Sequence, residues 1–145
     1  MGVTIYCKKT GTEIDLGGGG FLRLRNKVAE LAGEPFASHY AKLSTPEYMW
    51  SGGEMRKMLF EAFNARTERL IASKKADVKI VDFLLQSDCG GSIHYGACKN
   101  ILKAIGDYDD DRIYGYAGRP DAARFRDFKR ILEECVEHKC DMCWD

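Results

Sequence analysis

The sequence predicts a mostly helical α+β domain, with about five helices and a small antiparallel sheet. Three observations carry this reading. Val3–Cys7 and Glu13–Leu16 are short, partly alternating runs around Lys8–Thr12, the pattern of a β-hairpin with Gly11 in its turn. Apolar residues then recur at helical spacing in several separate windows. The length, 145 residues, suits one domain with one sizeable core, spanning residues 1–145.

The elements follow in order. Gly17 to Gly20, read as a flexible connector, lack the Gly-Lys-Ser/Thr ending of a phosphate-binding loop. Phe21, Leu24, Val28, Leu31 and Ala32 mark a first helix, ended by Gly33 and Pro35, with Arg23, Arg25 and Lys27 read as its solvated face. Residues 34–53 are irregular but rich in large side chains (Phe36, Tyr40, Tyr48, Met49, Trp50), which predicts a short helix or lid packed on the body. Met55, Met58, Leu59, Ala62, Phe63, Leu70 and Ile71 define the longest helix, over 53–73, with its methionines read as core filler. Asp77 to Leu85 reads as a short buried helix, a strand being the alternative. Cys98, Ile101, Leu102 and Ile105 give a compact helix ended by Gly106. Pro120 suits a first helical turn, and Phe125, Phe128, Ile131, Leu132 and Cys135 form a clear stripe behind it. The tail from Asp141 to Asp145 is placed as an edge strand on the hairpin.

Composition excludes some functions. Hydrophobic residues make up 45% and charged residues 30%, the balance of a globular chain. Basic and acidic residues are equal at 22 each, so no basic excess points to nucleic acid. No stretch approaches the roughly 20 apolar residues of a spanning helix, and the opening residues lack the apolar run of a signal peptide. The expectation is a cytoplasmic chain, with no membrane partner, whose six cysteines are reduced thiols.

Five constellations carry residue types suited to chemistry. Gln86–Cys98 fits the outline of a calcium-binding loop, with Gly91 at the turn and Ile93 at the apolar position. Asp88 is its only leading carboxylate and Ala97 replaces the terminal glutamate, so a glycine-rich joint of EF-hand-like shape is expected without the ion. Asp107–Asp111 has four carboxylates but neither the glycine nor the glutamate of that loop, and reads as a solvated turn capping the preceding helix. Cys89, three residues after Gln86 and ahead of a helix, is the candidate nucleophile of a cysteine hydrolase or transferase, with His94 or His138 as base. Cys135, His138, Cys140 and Cys143 supply four zinc-type ligands in nine residues, though only Cys140 and Cys143 have knuckle spacing. The Arg112–Pro120 turn holds two arginines and two tyrosines before a helix, a composition suited to gripping a phosphate and stacking a base.

Gly20–Arg25, Phe83–Ile93 with Cys98–Ile101, and Tyr114–Pro120 leading into Phe125–Lys129 together resemble a group of small uncharacterised proteins of gut-type Gram-positive bacteria and their phages. The resemblance implies an intracellular, phage-linked setting and favours a binding or counter-defence protein. It transfers no catalytic residue.

The expectation from sequence is therefore a non-catalytic intracellular binding module, with no cofactor. Its target is a protein partner or a phosphorylated small molecule such as a nucleotide signal, contacted by Arg112, Tyr114, Tyr116 and Arg119 with Arg23 and Arg25 as helpers. The alternatives are the Cys89 enzyme and a small structural zinc protein.

Overall fold

A computed structural model describes residues 2–116, 118 and 122–145. Four strands form one antiparallel sheet: β1 (Thr4–Cys7), β2 (Glu13–Asp15), β3 (Gly91–Ile93) and β4 (Met142–Trp144), in the order β2-β1-β4-β3. Seven α-helices accompany it among the described residues: α1 (Gly17–Ala32), α2 (Phe36–Ala41), α3 (Pro46–Met49), α4 (Gly53–Ala72), α5 (Val78–Leu85), α6 (Tyr95–Ile105) and α7 (Phe125–His138). The α+β class is as expected; the helix count is higher. Residues 34–53 account for most of the difference, because they hold α2, a 3-10 turn at Lys42–Ser44 and α3.

The hairpin register runs Thr4↔Asp15, Ile5↔Ile14 and Tyr6↔Glu13. Alternation puts Val3, Ile5 and Cys7 on the buried face. The tail joins the sheet, but inside it: β4 pairs with β1 through Ile5↔Trp144 and Cys7↔Met142, and with β3 through Gly91↔Trp144 and Ile93↔Met142. The expected edge strand is thus covered on both sides. Its second neighbour comes from the Gln86–Cys98 segment, which forms a strand as well as a joint.

The reason is Trp144, 1% exposed. Its indole N–H donates to the Ser87 carbonyl at 2.9 Å, and its ring packs edge-on against Phe21 and Phe83. A Cβ at Gly91 would meet that indole at 2.5 Å, so only glycine lets β3 lie beside it.

The core lies between the buried sheet face and α1, α5, α6 and α7, with Phe21, Leu24, Phe83, Ile101, Phe128 and Leu132 at its centre. The Phe125–Cys135 stripe is buried as read, but α7 starts at Phe125, capped through the Arg124 N–H donating to the Asp127 carboxylate at 2.8 Å. Pro120 lies outside the described residues. Residues 78–85 are helical, capped by Asp77, whose side chain accepts from the Lys79 amide.

Two further expectations change. The glycine run is no loose connector: Gly17 to Gly20 make the first turn of α1. A Cβ at Gly20 would collide with the Tyr114 carbonyl oxygen, so this turn packs directly on the backbone of the Tyr114 segment. The long helix α4 buries only Phe63, Thr67 and Leu70, and leaves Met55 and Met58 60% and 63% exposed. Those methionines are surface, not core filler.

Candidate functional site

The residues singled out from sequence fall in three places. Arg23, Arg112 and Tyr114 do converge, with Lys27, on a small cavity of about 210 Å³ between α1 and the Asp107–Gly115 turn. The Tyr114 ring is not available for stacking there. It is 2% exposed, packs on Phe125, and its hydroxyl donates to Asp110 at 2.8 Å. Tyr108 donates to the same carboxylate at 2.7 Å. Burial pushes the Tyr114 hydroxyl's pKa up, with Asp110 adding to it. Asp109 and Asp111 pair with Arg126 of α7 at 3.1 and 2.9 Å. The acidic turn is therefore a clasp onto α7 rather than only a solvated cap. Tyr116 lies apart, against Gly17, and Arg119 is outside the described residues.

Cys89 is exposed, with its neighbours Ser87 and Asp88 as its partners. His94 instead caps α6, accepting from the Gly96 amide, and His138 is exposed at the end of α7. Neither imidazole hydrogen-bonds the Cys89 thiol among the described residues, so the thiol and its two candidate bases are not assembled as a pair.

Arg25 has the most unusual surroundings. It sits four residues after Phe21 and three before Val28, on the buried stripe of α1, and is 8% exposed. Its guanidinium lies 4.2 Å over the Phe21 ring and 5.6 Å from the rings of Phe83 and Trp144. Nε and one terminal nitrogen are buried and find no hydrogen-bond acceptor among the described residues. Burial lowers its pKa, while Tyr40 and Asp88 act the other way. Arg25 also forms part of the wall of a groove of about 440 Å³, otherwise mainly apolar, with Leu22, Tyr40, Met49, Phe63 and Leu84 around it. Leu22, Met49 and Leu85 on its margin are 49%, 57% and 38% exposed.

The thiols make a third assembly. α7 ends with Lys139 in the left-handed conformation (φ 50°), and the Cys140 amide bonds back to the Cys135 carbonyl at 3.1 Å. This turn folds Cys140 over Cys135. Strand pairing then brings Cys7 to them, with the Lys8 amide donating to the Asp141 carbonyl at 3.1 Å. The Cys7 and Cys140 sulfurs are 3.3 Å apart, and the sulfurs of Cys7, Cys135 and Cys140 all lie within 4.8 Å of one another. Three thiols at that spacing could hold a metal ion. Two of the residues expected as zinc ligands, Cys135 and Cys140, are in this group. His138 and Cys143 are not, because β4 alternation turns Cys143 to the other sheet face, beside Tyr6.

The electrostatics differ among the three thiols. Burial opposes ionisation of Cys7, but interactions with the Thr10 hydroxyl, the Thr10 and Lys9 amides and the Cys140 thiol outweigh it and hold Cys7 down to about 7. Burial and the neighbouring Cys7 push Cys140 up. The adjacent Cys98 thiol of α6, followed by burial, pushes Cys135 up.

Protein-family models, curated proteins and solved structures were all compared with the chain, and none matches it. No helix among the described residues is long and apolar enough to cross a membrane.

Proposed function

We propose that this chain is a non-catalytic binding module that takes a protein partner in the groove beside Arg25, and that the partner offers an apolar segment carrying a carboxylate. The observation that carries the reading is the buried Arg25 guanidinium, two of whose nitrogens find no acceptor among the described residues. Holding a cation out of water without an anion is costly, and a carboxylate reaching the groove turns that cost into attraction. The apolar walls supply the remaining affinity.

A protein suits this surface better than a small molecule. The exposed apolar side chains continue from the groove margin at Met49 through Trp50, 82% exposed, to Met55 and Met58 on α4. Methionine, tryptophan and arginine are the residues interfaces favour, and methionine adapts to varied partners. The phosphorylated-ligand reading has a weaker basis, because the Arg23/Arg112 cavity of about 210 Å³ falls below the usual ~300–1,000 Å³ of ligand sites.

A panel of fluorescent peptides with leucine- or phenylalanine-rich ends, each made with a free and with an amidated C-terminus, tests the reading by anisotropy. At least one free-acid peptide should bind, with affinity about tenfold or more lower for its amide and for Arg25→Met protein, the loss of one charge-assisted contact. Equal binding of acid and amide, or unchanged binding by Arg25→Met, overturns it. Nucleotide binding abolished by Arg112→Ala, with no peptide bound, would favour the other cavity instead.

A further inference from the structure

We propose that Cys7, Cys135 and Cys140 form a thiolate site for zinc, with the neighbouring Cys98 completing a four-sulfur set. The site is separate from the Arg25 groove and does not depend on it.

Spacing is the first argument. Four sulfurs about 2.3 Å from a tetrahedral zinc lie about 3.8 Å apart. The three thiols already lie within 4.8 Å of one another, with one pair at 3.3 Å, so side-chain adjustments of about an ångström at fixed backbone bring these three to that spacing. Cys98, fully buried on α6, adjoins the Cys135 thiol but stands outside that group, and it supplies the fourth sulfur by a side-chain movement toward the other three.

The surroundings are the second argument. The tight turn after β1, closed by the Gly11 amide bonding to the Cys7 carbonyl at 2.9 Å, keeps Lys8 and Lys9 next to the ligand Cys7. Lys8, Lys9 and Lys139 flank the ligands in the chain, and a zinc tetrathiolate carries two negative charges.

The topology is the third. The ligands come from β1, α6, and the end of α7 with the turn that follows it, so one ion would tie together three parts of the chain distant in sequence. Cys140 is only half-buried and the Lys8–Gly11 turn is exposed, which leaves an approach for the ion. Each thiol that ligates releases its proton to solvent.

Full-length protein, purified under reducing conditions and stripped with a chelator, is titrated with zinc against a competing chromophoric chelator, and separately with cobalt(II). One zinc per chain is expected, and cobalt should give an intense sulfur-to-metal band in the near ultraviolet with tetrahedral visible bands. Cys7→Ser and Cys140→Ser should each weaken zinc by more than about 100-fold, beyond the range of outer-sphere changes. Cys89→Ser and Cys143→Ser should leave the affinity within about twofold, as changes outside the coordination sphere. Should the ligand variants fail to fold by circular dichroism, the wild-type protein decides: zinc must slow alkylation of Cys7 and Cys140 while leaving Cys89 unaffected. No stoichiometric zinc at micromolar free ion overturns the proposal. So do a cobalt spectrum without the sulfur band, alkylation indifferent to zinc, or a Cys7–Cys140 disulfide whose reduction restores no zinc binding.

Discussion

Replacing Arg25 by methionine should make the protein more stable while removing its proposed grip on a carboxylate. Two buried nitrogens lacking acceptors cost about 1–3 kcal/mol each, near 4 kcal/mol together. The cation held 4.2 Å above the Phe21 ring returns about 2 kcal/mol when desolvated. Methionine keeps the stem's packing and a sulfur contact with the rings, so the net gain is about 2 kcal/mol. For a chain of 145 residues that corresponds to about 6 °C in Tm. Urea unfolding followed by tryptophan fluorescence, with the m-value checked for constancy, measures it. A loss of stability beyond about 1 kcal/mol at unchanged m would refute the reasoning, since Arg25 would then be contributing to the fold and its burial would need no ligand to explain it. A gain accompanied by lost peptide binding is the signature of a side chain kept for function at the expense of stability.

Glycines in the first turn of α1 should divide sharply. Gly20→Ala drives a methyl into the Tyr114 carbonyl and should cost about 3 kcal/mol, whereas Gly18→Ala meets no atom within 4 Å and should stabilise by about 0.5–1 kcal/mol; urea midpoints of the two variants report both. His39 supplies a pH dependence. Its ring is buried, stacks on Phe63 at 4.1 Å and shares a 2.8 Å hydrogen bond with Thr67; burial, with Lys42 nearby, lowers its pKa from 6.5. Between the folded and unfolded values the unfolded chain binds the extra proton. The contribution is therefore complete above the unfolded value and lost as pH falls from there through the lowered folded value. Unfolding midpoints at pH 7.5 and 5 should differ more for the wild type than for His39→Gln, and equal differences would discount His39.

Much of the fold was legible because periodicity reports burial directly. Phe125, Phe128, Ile131, Leu132 and Cys135 are all fully buried, and the inward row of the hairpin is Val3, Ile5 and Cys7 as alternation requires. The first turn of α1 was not legible. Four glycines carry no helical preference, and what holds them helical is the close packing of Gly20 on a backbone some 90 residues away in sequence. Met55 and Met58 followed the apolar spacing yet face solvent, since period alone cannot say whether a neighbour exists to cover the stripe.

The sites divide the same way. Arg25 stands at i+4 from Phe21, on the stripe itself, and grouping it with Arg23 and Lys27 as a face away from the stripe hides that placement. The thiol cluster was half visible. Cys135 and Cys140 share a local turn, but Cys7 reaches them only by strand pairing. An inward-facing Cys7 and a tail strand laid on the hairpin, taken together, would have pointed to it. The left-handed Lys139 that folds Cys140 back has no signature in residue type, because glycine or asparagine is the usual occupant.

The place of β4 between β1 and β3 has a consequence for synthesis. At about 5–20 residues per second, β1 waits roughly 7–28 s on the ribosome before its neighbour is made. Only the hairpin partner β2 is available to it during that interval, and Cys7 stays apart from Cys135 and Cys140. The nascent chain thus presents an unpaired strand edge and a lone thiol until residue 144 has left the exit tunnel. Closure of the sheet therefore waits on residues 142–144, and a chain cut short of Met142 lacks the strand that joins β1 to β3.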